Sequence, residues 1–216
     1  MGISSERPVD EQAVKAGLAA GEDALAHTLA AVQRLPERFG EAKRAIELLL
    51  AADSRIVVTG LGKSGLVGQK LAATLASTGT AAYFVHAADA LHGDAGVVCP
   101  GDVLLAISNS GETEEVVCFA RLVKDRGVRM IALTGCDGSS SLSDLADVRL
   151  DVGVDREADP FDLVPSASTV ATAVMGDALA VAVMVARGFG PEDFHRHHPA
   201  GALGRRLVGQ GGGGGA

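Results

Sequence analysis

A chain of 216 residues, 47% of them hydrophobic, is long enough for one large α/β domain, and no composition shift marks a second. Its formal net charge of -8, from 19 Lys+Arg against 27 Asp+Glu, argues against nucleic acid or an anionic membrane as a standing partner, while one local cluster of donors can still hold a small anion. Cys99, Cys118 and Cys136 have no short paired spacing for a disulfide framework or a metal knuckle, and the polar N-terminus lacks the apolar core of a signal peptide, so a cytoplasmic location is expected.

Residues from about Val9 to Ala52 predict two Ala-, Leu- and Glu-rich helices, broken at Pro36 and Gly40. The β-branched run Arg55–Thr59 predicts a first strand ending in Gly60-Leu-Gly62-Lys-Ser-Gly65, and a helix follows to about Ser77, stopped by Gly79. Ala81–Val85 and Asp102–Ile107 predict the second and third strands. A loop then leads into a helix from about Glu114 to Asp125. Arg129–Thr134 is a fourth strand, followed by a Ser-rich helix start and by Ala146–Leu150 as a fifth. An irregular segment from Gly153 to Val164 precedes a long helix from about Pro165 to Arg187, which Gly188 is placed to end. Its apolar stretch is interrupted by Asp177 and falls short of a bilayer span, so a core helix is expected rather than a membrane one. The nearly all-Gly end, Gln210 to Ala216, predicts a flexible tail. This alternation of strand and helix implies right-handed crossovers in an α/β fold: a doubly wound, mainly parallel five-stranded sheet flanked by helices.

Open parallel sheets bind ligands outside the carboxyl ends of their strands, so the loops after the first and third strands come first. Gly60, Gly62 and Gly65 spell G-x-G-x-x-G, which alone is a weak dinucleotide signal; the second strand ends in Val85-His86, without the acid a ribose needs. Three glycines in a tight turn have a purely structural explanation. Lys63 tips the balance, because a cation at a helix N-terminus opposes the dipole unless an anion is present. The loop Ser108-Asn109-Ser110-Gly111-Glu112-Thr113 is more informative. An N-cap uses one hydroxyl; this loop supplies three, immediately before a helix, as a phosphate monoester requires.

With GLGKSG, ISNSGETEE, Leu91-His92-Gly93-Asp94 and the later DALAVA, RGF, EDF and HHPAGALGRRL, the chain resembles the sugar isomerase (SIS) domain family. Within it the resemblance is to the arabinose 5-phosphate isomerases, from the first helix to Leu207. It implies one SIS domain over residues 1–208 with a tail at 209–216, and either a form without the CBS modules that many members carry or an isolated catalytic domain. It also implies a SIS fold, a homotetramer with sites at subunit interfaces, no cofactor, and service to 3-deoxy-D-manno-octulosonate synthesis for lipopolysaccharide or a capsule.

Interconverting an aldose and a ketose needs a base for a carbon-bound proton, a group that moves protons between two oxygens, and a cation or N–H groups for the enediolate. The resemblance implies that Lys63, Glu115, Glu157 and His198 carry this catalysis, with Glu157 the carbon base and His198 the oxygen-side group. From the residues alone, Glu157 is no better than Asp155 or Asp159, and a contact with the helix dipole is reason enough for Glu115. Gly62, Ser64, His92, Ser108, Asn109, Ser110 and Thr113 are expected to bind the sugar phosphate. His195, His197 and His198 invite a metal, but no carboxylate or cysteine stands at ligand spacing with them, so none is expected to be required. Two departures from the family pattern stand out: Ala200 in place of a usual glycine, and the segment Asp159 to Thr169. The alternatives are isomerisation of another sugar phosphate, such as a 3-hexulose 6-phosphate, and a non-catalytic sugar-phosphate sensor. No DNA-binding element precedes Arg55 to favour the sensor, and a dehydrogenase is weaker still.

Overall fold

The first segment is built from three helices where two were expected. In the computed structural model, which describes residues 10–52, 55–136 and 138–198, α1 (Glu11–Gln33) begins at Asp10, whose side chain accepts from the Gln12 amide at 2.9 Å. At Leu35-Pro36 the chain restarts as α2 (Leu35–Phe39), since proline has no N–H to continue the preceding helix and a φ suited to a new first turn. A 3₁₀ turn at Gly40–Ala42 leads into α3 (Lys43–Leu50). The expected break is thus a short helix of its own. Val9, Pro199, Ala200, Gly201 and the Gly-rich tail lie outside the described residues.

The strands are β1 (Ile56–Gly60), β2 (Ala82–His86), β3 (Val103–Ile107), β4 (Arg129–Thr134) and β5 (Val148–Asp151). They lie in the order β2-β1-β3-β4-β5, and every neighbouring pair is parallel, with Ile56 facing both Ala82 and Val103. The sheet expected to be mainly parallel is wholly so. Its central strands β1 and β3 are buried throughout, which is why they read as unbroken aliphatic runs.

Successive side chains part to two faces. Ile56, Val58, Leu105, Ile107, Ile131 and Leu133 pack under α3, α4 (Gly62–Ser77) and α8 (Ala167–Ala186). Val57, Leu104, Ala106, Met130 and Ala132 pack under α5 (Ala87–Ala90), α6 (Glu114–Lys124) and α7 (Ser141–Leu145). The helix that follows β1 therefore covers one face and the helix that follows β3 the other. These two strands are neighbours, so their carboxyl ends open a crevice at the point where the winding reverses.

By length and composition α8 could cross a membrane. Here its Ala171, Met175, Leu179 and Val183 are buried in the core beside α4, and Asp177 pairs with Lys70 of α4. Two short helices were not anticipated, α5 and α9 (Pro191–His197). His198 is the C-cap of α9.

Candidate active site

The turn after β1 is held by close approach. A Cβ on Gly60 would stand 3.0 Å from the Ser64 backbone, and one on Gly65 would stand 3.1 Å from the Gly60 carbonyl oxygen. The glycines thus have structural reasons of their own. What they accomplish is to bring the start of α4 to the strand end with no side-chain cap at Leu61, leaving first-turn amides directed at the crevice. Lys63 and Ser64 lie on this turn, and among the described residues no ion pair engages Lys63.

The loop after β3 spends part of its polarity on its own shape. The buried Ser108 hydroxyl accepts from the Gly111 amide at 3.1 Å and lies 2.9 Å from the Thr113 hydroxyl, while Ser110 Oγ accepts from the Glu112 amide at 3.2 Å. Each hydroxyl has one proton, and only the Ser108–Thr113 bond consumes one, so two O–H donors remain. Thr113 makes no side-chain cap to α6, which leaves the amides of its first turn for a ligand as well. Gly111 adopts φ +70°, and a Cβ there would collide with Ser140. The loop is fastened to α7 by Leu142 N–H donating to the Gly111 carbonyl at 3.0 Å and Ser141 N–H donating to Glu112 Oε1 at 2.8 Å. Side-chain and backbone hydrogen bonds from Ser141 hold the Glu112 carboxyl below the ordinary range.

Between the two loops lies a cavity of about 220 Å³. Leu61, Lys63, Ser64 and Val67 form one wall and Asn109 another. The third wall was not foreseen: Pro165, Ser168, Thr169 and Thr172, at the start of α8. Gly62, Ser108, Ser110 and Thr113 belong to the loops that frame it, though they do not line it.

The three acids that the sequence could not separate now differ. Asp155 is paired with Arg34 at 2.7 Å, and that hydrogen bond holds its carboxyl low. Asp159 is held low chiefly by the Val164 amide, and it also accepts from Phe161 and Leu163 N–H. Of the three, Glu157 is the one bonded to a lining residue of the cavity, Ser168. Its carboxylate accepts from the amides of Ser166 at 2.9 Å and Ser168 at 3.1 Å and from the hydroxyls of both, so it caps α8 and lies one side chain, Ser168, behind the cavity. Glu115, His92 and His198 are not among the lining residues. Glu115 is half-buried on the first turn of α6, His92 is exposed after α5, and the His198 ring stacks on Phe194 at 4.0 Å with Nδ1 3.0 Å from the Phe194 carbonyl oxygen. Among the described residues no group of three or more His, Cys, Asp or Glu is placed to hold a metal ion.

Residues 49–182 match the family model of the SIS domain. The chain is 53% identical over 179 residues to arabinose 5-phosphate isomerase KdsD of Pseudomonas aeruginosa, covering 82% of this chain and 55% of that protein. It is 50% identical over 192 residues to arabinose 5-phosphate isomerase GutQ of Escherichia coli K12, covering 88% and 60%. The chain thus spans little more than half the length of the curated relatives it matches. Among solved structures, an Escherichia coli CFT073 protein in complex with arabinose 5-phosphate is similar at a TM-score of 0.82 and 35% identity, covering 88% of this chain and 100% of that one.

Proposed function

The chain belongs to the SIS domain family, and from that premise we propose that it is an aldose–ketose isomerase interconverting D-ribulose 5-phosphate and D-arabinose 5-phosphate. The observation that carries this is the cavity at the β1–β3 switch point, where Lys63 at the uncapped start of α4, Asn109 of the loop after β3 and the start of α8 share one small space. Phosphate oxygens take the remaining hydroxyl donors of the Ser108–Thr113 loop and the helix-end amides. The sugar then extends toward α8, with Lys63 beside the oxygens on which charge develops.

Glu157 is the carbon base. It removes the C2 proton of the aldose or a C1 proton of the ketose, leaves an enediolate, and returns the proton to the neighbouring carbon. Ser168 couples it to the cavity wall, and the Ser166 and Ser168 donors fix where its oxygens stand. His198 carries protons between the sugar oxygens and Glu115 assists. Like Glu157, which stands behind Ser168, neither lines the cavity of one chain, and the site is proposed to be completed on assembly, with some groups supplied by a neighbouring copy.

A homotetramer is proposed on the same ground. It is supported by two exposed aliphatic stripes with the same 4-7-4 spacing: Val14, Leu18, Leu25 and Leu29 on α1, and Val170, Val174, Val181 and Val185 on α8. The enzyme is proposed to be cytoplasmic, in keeping with three free cysteines, to need no metal or cofactor, and to serve 3-deoxy-D-manno-octulosonate synthesis. The test is incubation of the purified protein with either sugar phosphate, followed by NMR. Approach to one common ratio from both sides is expected. Binding without interconversion would leave a sugar-phosphate sensor instead.

A further inference from the structure

The segment that carries Glu157 is held from the far side by α1. Arg156 reaches to Asp23 on α1, with Nη2 3.0 Å from Oδ2. Next along the chain, Ala158 is buried in a cluster with Ala31 of α1 and Ala167 of α8, and its amide donates to Ser166 Oγ at 3.0 Å. Glu157 therefore stands between one residue clamped to α1 and another wedged between α1 and α8. Among the described residues the buried Arg156 Nε has no hydrogen-bond partner, and the guanidinium is held by its bond to Asp23. Asp23 also lies 3.4 Å from His27 on its own helix.

We propose that Asp23 is a positioning residue for Glu157, acting through Arg156; this rests on Glu157 being the carbon base. Magnitudes separate the proposal from a merely structural role. An exposed ion pair contributes little to global stability, whereas displacing a catalytic group by about 1 Å costs roughly 100-fold in rate. The Asp23 and Arg156 side chains are 59% and 36% exposed, which places their pair in the weak class for stability. Losing it should therefore be visible in turnover and nearly invisible in thermal unfolding.

The experiment measures kcat, KM and melting temperature of the full chain as Asp23→Asn, Asp23→Glu, Arg156→Gln and the double variant Asp23→Asn/Arg156→Gln, with Glu157→Gln as reference. Asp23→Asn and Arg156→Gln are each expected to lower kcat about 10-fold with KM within about 2-fold. Asp23→Glu should restore most of the loss, and the double variant should be no slower than either single, because both remove the same contact. Parent-like kcat in both single variants, or losses that multiply in the double, overturns the proposal while Glu157→Gln remains inactive. Full turnover by Glu157→Gln removes the base itself, and the positioning role falls with it.

Discussion

At the scale of single residues, function and stability meet in Glu157. The carboxylate that is proposed to take a carbon-bound proton also caps α8 through two amides and two hydroxyls. Glutamine keeps an oxygen for those donors and loses the charge, so Glu157→Gln should cost only about 0.3–1 kcal/mol of stability at the helix end. The same change removes a general base and should lower kcat by about 10²–10⁴-fold with KM nearly unchanged. Steady-state kinetics check this, and a variant that turns over at the parent rate would remove Glu157 from the reaction. Glu112 makes a pH prediction. Its folded-state pKa lies below the ordinary value, so its anchoring of the loop after β3 is complete above that value and is lost as pH falls through the depressed one. The Ser141 amide resonance should therefore titrate below 4.5. A midpoint above that value contradicts the assignment.

At the scale of elements, the two loops were legible because their signals are local. An aliphatic run followed by glycines or hydroxyls gives a strand and its turn at once, as at Gly60–Gly65 and Ser108–Thr113. The third wall was not legible. α8 is apolar nearly all round, so no periodicity tells which of its faces meets the crevice, and Ser168, Thr169 and Thr172 look like ordinary residues of a helix start. The short helices α5 and α9 also escaped, because helices of 4 and 7 residues stand on tertiary packing rather than on propensity. Asp155, Glu157 and Asp159 could be told apart only once their partners were placed. The Ser108–Thr113 loop yields the prediction at this scale. Gly111→Ala puts a side chain at positive φ and against Ser140, and should cost on the order of 1–3 kcal/mol while weakening sugar-phosphate binding. Calorimetry on the folded variant checks both, and unchanged affinity would show that the shape of the loop does not matter to the ligand.

At the scale of the whole molecule, one chain on its own leaves an aliphatic surface open. Leu25 is 74% exposed and Val185 68% exposed, each within a stripe that runs along a helix. The proposed tetramer covers this surface and brings His92, Glu115 and His198 within reach of a site that lacks them in a single chain. Leu25→Glu with Val181→Glu should then lower both the mass seen by sedimentation and the turnover, since charges in an apolar contact are expensive. Unaltered mass in the double variant would place the contact elsewhere.

This cavity is proposed to turn a ketose phosphate into an aldose phosphate by moving a proton between carbons. That conversion is tested most directly by NMR of ribulose 5-phosphate incubated with the protein in deuterated water. Arabinose 5-phosphate with deuterium at C2 is expected, since the enediolate is reprotonated there by a base that exchanges with solvent. Substrate that binds and is recovered unchanged would contradict it.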